Sequence, residues 1–517
     1  MMRLCNAQEI MALDRQAIRG LGVPGVVLME NAGRSCCDQF EQAFSRYFPG
    51  PVMVVAGKGN NGGDGYVMAR ILAERGWQVR TLVLGQEASI SGDAKVMLNI
   101  IRRLGLPVDF VETIPGLQNS FTSEPALIID AIFGTGLNSD VVGIQAAAIT
   151  HINESAAVVF AVDIPSGVDS STGKICGLAV QAALTVTFDH AKIGLASYPG
   201  AGQVGELQVV DIGIPQAGRE DFSTNVHLLE KVEAQALLPD RSSSGHKGTF
   251  GHLLIVAGSP GKTGAAVLAG SAAERSGCGL VTVAVPDAIH DIIEVKLTEA
   301  MSCPLPSVDG LISLQAEVQI EQLLTQRQSL AIGPGLGQSS GLSDLIKSLV
   351  KSAPVPMIID ADGINLLAGQ LEPLGEHREQ TLILTPHPGE MSRLTGLSVS
   401  EIEANRLVVA QEFAVKHGIV LLLKGARTVI AAPDGRVNIN STGNDGLSSG
   451  GNGDVLTGLI GGLLAQGLDG FSAASLGAWL HGRAAELVAA SQGTAGMIAS
   501  DLLCQLPVAR QELVKGV

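Results

Sequence analysis

Residues 51–76 read PVMVVAGKGNNGGDGYVMARILAERG. The stretch opens on a short apolar run, PVMVVAG (51–57), passes through a glycine-rich loop, GKGNNGGDG (57–65), and ends in a helical pattern, GYVMARILAERG (65–76). The run is β-branched and apolar at successive positions, as a strand with both faces covered requires. Strand, loop and helix in that order make the first part of a βαβ unit, from which parallel sheets are built.

The same rhythm continues outward, after an opening helical segment. VRTLVLG (79–85), ALIIDAIFG (126–134), AVVFAVDIP (157–165), ALTVTFD (183–189) and ELQVVDIGIP (206–215) are further apolar runs, several of them separated by helical stretches. This alternation predicts a doubly wound α/β domain. It lapses around 216–245, where QAGREDFSTN and PDRSSSG are polar and turn-rich around a short helical stretch. It restarts with GHLLIVAGS (251–259), GLVTVAVP (279–286), SLAIGPGLG (329–337), PMIIDADG (356–363), TLILTPHPGE (381–390), GIVLLLKGA (418–426) and TVIAAPDG (428–435). A second α/β domain follows. The expected division is a domain over 1–218, a lead-in over 219–245 and a domain over 246–510, with no residue-level repeat between the halves.

Composition excludes several classes. With 46% apolar and 16% charged residues, large cores are readily built. A net charge of −16 and 3% aromatics argue against binding nucleic acid through the overall field or a stacking platform. Seven cysteines without a C-x-x-C pair suit reduced thiols in the cytoplasm and give no zinc signature. The N-terminus carries no apolar signal region, and no run reaches the ~18 apolar residues of a membrane span.

Ligands of open α/β sheets bind at the carboxyl ends of the strands. In the first half these ends carry GKGNNGGDG, DAIFGTGL (130–137) and DIPSGVD (163–169). Gly62, Gly63 and Gly65 admit an anion close to backbone N–H groups, a helix is expected after Asp64, and Lys58 adds charge. The plainer alternative is a tight turn with Asp64 as N-cap. Asp130 and Asp163, at strand ends, each need a cation, a proton or a polar ligand. The turn at Pro165–Gly167 aims Asp163 toward the crevice, unless it is simply an Asx turn. In the second half, STGNDGLSSGGNGDVLTGLIGGLLAQG (441–467) sets Gly450, Gly451 and Gly453 before a helix with Asp454 in its first turn. That helix end favours an ionised carboxylate, able to take a hydroxyl proton while the glycine N–H groups stabilise a phosphoryl in transfer. His387, held between prolines in LTPHPGE (384–390), and Lys424 and Arg427 in LLLKGART (421–428) are candidate ligand contacts. AGSPGKTGAAVLAGSAAERSG (257–277) is a further glycine loop ahead of a small-residue helix.

Taken together, MALDRQAIRGLGVPGVVLMENAGR (11–34), GKGNNGGDG, DAIFGTGL and DIPSGVD resemble the NAD(P)H-hydrate epimerase domain. HKGTFGHLLIVAGS (246–259), IGPGLG (332–337), DADGINLL (360–367), LTPHPGE, LLLKGART and STGNDGLSSGGNGDVLTG (441–458) resemble the ADP-dependent NAD(P)H-hydrate dehydratase domain. The resemblance spans nearly the whole chain and implies two three-layer αβα domains, Rossmann-like and then ribokinase-like. It implies an enzyme that interconverts the R and S hydrates of NADH and NADPH at C6. The S form is then dehydrated with ADP, or with ATP in its place, and magnesium, releasing phosphate and AMP.

The resemblance also implies site residues. Lys58, Gly59, Asn60, Asn61 and Gly62, the stretch Gly134, Thr135, Gly136, Leu137, Asn138, Ser139 and Asp140, and Asp163 contact the hydrate in the first domain. Asn61, Asp130 and Ser166 hold potassium there. Ala265, Gly337, His387 and Asp454 contact it in the second, where Lys424, Gly425, Ala426, Arg427, Thr428 and Gly453 bind the nucleotide. Asp163 and Asp454 are the catalytic pair. Asn452, where a small or hydroxylated residue is expected, and Lys262 depart from the pattern. A homo-oligomer is expected, with the opening helices as a candidate contact. A thiazole or hydroxymethylpyrimidine kinase fused to a nucleotide-binding domain is the rival reading; it would share the Gly450–Asp454 motif but not need the three acid loops of the first half.

Overall fold

The computed structural model describes residues 2–121, 125–219, 224–376 and 380–515. The chain divides into two compact units, Met2–Val226 and His227–Val517. Of the lead-in over 219–245, residues 220–223 lie outside the described residues.

The first unit is built on seven strands: β1 (Pro51–Ala56), β2 (Gln78–Leu84), β3 (Val108–Val111), β4 (Leu127–Ala131), β5 (Val158–Val162), β6 (Leu184–Phe188) and β7 (Glu206–Val210). They form one parallel sheet in the order β3-β2-β1-β4-β5-β6-β7. The two-residue period of β1 sorts its side chains between two layers. Val52, Val54 and Ala56 pack in one core with Phe40, Tyr66 and Met68, while Met53 and Val55 pack in another with Ala148, Ile149 and Ile152. Helices therefore cover both faces. Outside the sheet, Met2–Cys5 pairs in parallel with Ala191–Lys192 and fixes the backbone that carries Lys192. The order reverses between β1 and β4, which opens a crevice at their carboxyl ends.

The second unit continues with β8 (His252–Val256), β9 (Leu280–Pro286), β10 (Met301–Leu305), β11 (Ser329–Ile332), β12 (Met357–Ile359), β13 (Leu382–Leu384), β14 (Val420–Leu423), β15 (Val429–Ala431) and β16 (Val437–Asn440). Their order is β10-β9-β8-β11-β12-β13-β14-β15-β16. Pairing is parallel as far as β14, and β15 and β16 return antiparallel. Here the reversal lies between β8 and β11.

Three features differ from the sequence expectation. The helix after β1 begins at Asn60, capped by Gly59, so Asp64 lies inside it rather than at its N-cap. Glycine is a poor helix former, but Gly62, Gly63 and Gly65 are buried here and tertiary packing overrides propensity. Gly453 likewise lies within the first turn of helix Asn452–Ala465, whose N-cap is Gly451. Short strands at Met301–Leu305 and Val437–Asn440, and one at Val226–Leu229 in the lead-in, carried too little apolar pattern to be seen.

Helix Asn452–Ala465 runs against helix Thr263–Arg275 at backbone contact. A Cβ at Gly458 would stand 2.0 Å from the carbonyl oxygen of Ala269. Gly458→Ala is therefore expected to force the two helices apart and cost the second unit about 1–3 kcal/mol. The check is a lower midpoint of its urea transition than that of the unsubstituted protein.

Candidate active sites

In the first unit β1 ends at Ala56, and the chain turns back at Gly57, whose N–H donates to the Ala131 carbonyl at 2.9 Å. A Cβ on Gly57 would fall 2.0 Å from the Ile132 carbonyl oxygen, and one on Gly62 2.2 Å from that of Gly57. The loop thus needs glycine at both positions to let its helix start beside β4. That start delivers Asn61, whose Nδ2 donates to the Phe133 carbonyl at 2.8 Å while its Oδ1 is buried with no partner.

Behind this point Asp130, fully buried at the end of β4, accepts from the Ser166 N–H (2.8 Å), the Ser166 hydroxyl (2.6 Å) and the Ile132 N–H (3.2 Å). Burial pushes its carboxyl up to about 6 against the pull of these bonds.

Asp163 follows β5 with φ 68°, a left-handed conformation rare outside glycine. Its Oδ1 accepts from Lys192 Nζ at 2.6 Å and from the Thr187 hydroxyl at 3.2 Å. Lys192 is 1% exposed and gives its other protons to Thr187 Oγ1 (2.8 Å) and the Phe188 carbonyl (3.2 Å). All three ammonium donors are thereby used.

A cavity of about 490 Å³ lies at this edge. It is lined by Lys58, Gly59, Asn60, Asn61, Gly134, Thr135, Gly136, Leu137, Asp163 and Lys192, together with Asp14 and Asp64. Asn138, Ser139 and Asp140 are exposed beyond the lining, and Gly62, Asp130 and Ser166 lie buried behind it.

The second unit repeats the construction with other residues. Asp360, at the end of β12, accepts from Lys424 Nζ (2.7 Å), the Thr385 hydroxyl (2.8 Å) and the Thr457 hydroxyl (2.7 Å). Burial alone would depress the Lys424 ammonium, but Asp360 and Glu390 outweigh it and hold it above its usual value. A Cβ on Gly453 would lie 3.5 Å from Lys424 Nζ and 3.6 Å from Asp360 Oδ2, so the first turn of helix Asn452–Ala465 rests directly on this pair.

Asp454, in that turn, lines a cavity of about 510 Å³ with Gly450, Gly451, Gly335, Ala265, Lys262, Asp362 and Glu390. Burial, and then the charge of Asp360, lift its carboxyl to about 7, while Lys424 pulls it down. Burial and Asp360 therefore act against the ionisation that the helix end alone favours.

Gly337 lies outside this lining, and its N–H donates to the lining residue Asp362 at 2.9 Å. Lys262, the first departure from the expected pattern, pairs with the same carboxylate at 2.9 Å. Asn452, the second, is buried; its Nδ2 caps the Leu447 and Ser449 carbonyls and its Oδ1 has no partner.

His387 caps helix Pro388–Thr395, its Nδ1 accepting from the Gly389 and Glu390 N–H groups. Its half-exposed ring leaves the Nε2 edge near Glu390. Gly425, Ala426, Arg427 and Thr428 form the turn between β14 and β15. Arg406 holds that turn by donating to the Leu423 (3.0 Å) and Lys424 (3.1 Å) carbonyls. His387 and the residues 424–428 lie outside the lining of the 510 Å³ cavity.

Sequence reasoning missed Lys192, Asp360, Thr457 and Arg406. Asp360 ends an apolar run as Asp130 and Asp163 do, so the same signal was available. Lys192, in AKIGLA (191–196), is a lone cation in an apolar stretch.

Two family descriptions match the chain: "YjeF-related protein N-terminus" over residues 25–194 and "NAD(P)H-hydrate dehydratase" over residues 253–508. The bifunctional NAD(P)H-hydrate repair enzyme of Moorella thermoacetica is 44% identical, covering 100% of this chain and 98% of that protein. Its counterpart in Escherichia coli is 34% identical, covering 97% and 92%. The crystal structure of the ADP/ATP-dependent NAD(P)H-hydrate dehydratase of Bacillus subtilis, co-crystallized with ATP/Mg2+, matches with 35% identity and a TM-score of 0.50. It covers 56% of this chain and 100% of that one.

Replacing Lys192 by Met leaves the buried Asp163 carboxylate without its counter-charge. The expected cost to the first unit is about 3–5 kcal/mol. Thermal melting tests this, and the double variant Lys192→Met/Asp163→Leu is expected to recover a large part of the loss.

Proposed function

The chain belongs to the family of bifunctional NAD(P)H-hydrate repair enzymes, and we propose how its two units divide the work. It is an NAD(P)H-hydrate epimerase and dehydratase. The first unit interconverts the R and S hydrates at C6; the second returns the S hydrate to NAD(P)H with ADP, releasing phosphate and AMP. The observation that carries the division is that each unit has its own cavity at the strand-order reversal, lined by an aspartate. The kinase reading is not favoured, because relatives matched over nearly their whole length are named bifunctional NAD(P)H-hydrate repair enzymes.

In the second unit, hydroxide is a poor leaving group from C6. Phosphorylation of the C6 hydroxyl turns it into a good one, which the ring nitrogen's lone pair then expels as phosphate; the resulting C=N cation loses a proton from C5, and the C5–H electrons restore the ring double bond. Asp454 accepts the hydroxyl proton, and a base lifted to about 7 suits that task near neutral pH. The N–H groups at Gly450–Gly453 stabilise the phosphoryl during transfer, and Lys424, with the turn through Thr428, receives the nucleotide phosphates. Ala265, Gly337 and His387 border the hydrate. Magnesium enters with the nucleotide, as the ATP/Mg2+ of the Bacillus subtilis protein suggests.

In the first unit, residues 58–62 and 134–140 hold the hydrate with its ring beside Asp163. The orphaned Asn61 Oδ1, together with Ser166 and Asp130, which Phe133 links to Asn61, offers the all-oxygen set that a potassium ion takes. Asn61, Asp130 and Ser166 would hold the ion, which would supply positive charge beside the hydrate.

Two outcomes test the assignment. With mixed hydrates, ADP and magnesium, Asp454→Asn is expected to lose dehydration by about 10²–10⁴-fold and still equilibrate the epimers; Asp163→Asn is expected to consume S and leave R. Recovered dihydronicotinamide absorbance and chromatography of the epimers report both.

The wild-type kcat/KM for S is expected to rise with pH through about 7, as Asp454 ionises. Stability runs the other way. A carboxyl lifted above its ordinary value contributes stability that is complete below that value and is lost as pH rises through about 7.

A further inference from the structure

One buried carboxyl in the epimerase cavity has no task so far. Asp64 stands three and four residues beyond Asn61 and Asn60 on helix Asn60–Glu74, so the three side chains share a face. It is 7% exposed and lines the cavity that holds Asp163. Among the described residues no hydrogen bond or ion pair reaches its carboxyl.

The groups that face it are Asp163 after β5, Asp14 on helix Ala7–Arg15, Lys192, and the Cys36 thiol on helix Gly25–Phe44. Burial first, then Asp163 and Asp14, hold Asp64 well above the usual carboxylate range; Lys192 pulls the other way but spends its donors on Asp163, Thr187 and Phe188. One cavity thus contains a carboxylate paired with an ammonium and a carboxyl with no counter-charge, the arrangement that separates a base from an acid.

Inversion at C6 asks for both. A single group that protonated the departing hydroxyl and deprotonated the returning water from one side would restore the same epimer. We propose, building on the repair reading above, that Asp64 is a second catalytic residue of the epimerase site, working as the acid to Asp163's base.

In one direction Asp64 gives its proton to the C6 hydroxyl. The C–O bond breaks, water leaves, and the ring nitrogen's lone pair forms a C=N bond with positive charge on nitrogen. The Asp163 carboxylate lowers the energy of that cation. Water then adds to the opposite face of C6, the C=N electrons return to nitrogen, and Asp163 takes the released proton. Transfer of a proton from Asp163 back to Asp64 resets the site, and the reverse reaction exchanges the roles. Water is conserved and no other reactant is needed.

The test uses the full chain with the R hydrate of NADH, following the epimer ratio above its spontaneous change. Asp64→Asn is expected to lower kcat by about 100-fold or more with little change in KM, an unchanged melting midpoint, and S-hydrate dehydration intact in the same protein. Asp64→Glu, which restores an acid, is expected to recover part of the rate. Epimerisation by Asp64→Asn within about threefold of wild type, less than acid–base catalysis ordinarily supplies, overturns the proposal, as does a loss matched by a lowered melting midpoint. A wild-type protein that fails to epimerise would instead overturn the functional reading itself.

Discussion

A carboxylate buried at the carboxyl end of a strand cannot stay charged without a partner, because the desolvation cost in a low-dielectric interior is several kcal/mol per ion. Both units meet this constraint in the same way. Asp163 and Asp360 each follow a parallel strand, each is buried, and each is held by a lysine at 2.6–2.7 Å and by threonine hydroxyls. These pairs fix the geometry of the rest. Lys192 fills the space between β6 and Asp163, and the Lys424–Asp360 pair carries the first turn of helix Asn452–Ala465. A Cβ at Gly453 would lie in ordinary contact with both members of that pair, at 3.5 and 3.6 Å.

The pairing has a consequence for the carboxyls nearby. Each lysine sits closest to one aspartate, so at the next acid burial and a neighbouring negative charge outweigh the lysine's pull. Asp64 and Asp454, like Asp14 and Glu390 in the same two linings, bind a proton more firmly than an ordinary carboxylate. The units share no residue-level repeat. The similarity lies in the electrostatics of a parallel sheet edge, where strand-end side chains and helix N-termini meet.

Much of this was legible in the sequence. The apolar runs of β1, β4, β5, β8 and β11–β14 are distinct, and Gly57 and Gly62 after β1 mark where backbone must pass close to backbone. Asp130 and Asp163 are visible as acids that end buried strands. Partners were harder to see. Lys192 reaches Asp163 from 29 residues away and Thr457 reaches Asp360 from 97, and no local pattern encodes such contacts. Asp64 was misplaced for a related reason: local propensity puts a helix start after a run of glycines, whereas close packing against β1 and β4 starts it five residues earlier.

Asp454 shows where a correct local reading gives way to a larger effect. Its place in a helix first turn favours ionisation by about 0.3–1 kcal/mol, up to ~2 where partly buried. A lift from 3.8 to about 7 corresponds to roughly 4 kcal/mol in the other direction. Burial and the charge of Asp360 therefore outweigh the helix end and Lys424 together. The chemistry gains from this outcome. A carboxylate at its ordinary value would be fully ionised at neutral pH but too weakly basic to draw a proton from an alcohol. Lifted to about 7, it is still ionised in a large fraction of molecules and is a stronger base by about three orders of magnitude in proton affinity. The same desolvation that destabilises the charged side chain in the folded protein is what fits it to remove the hydroxyl proton.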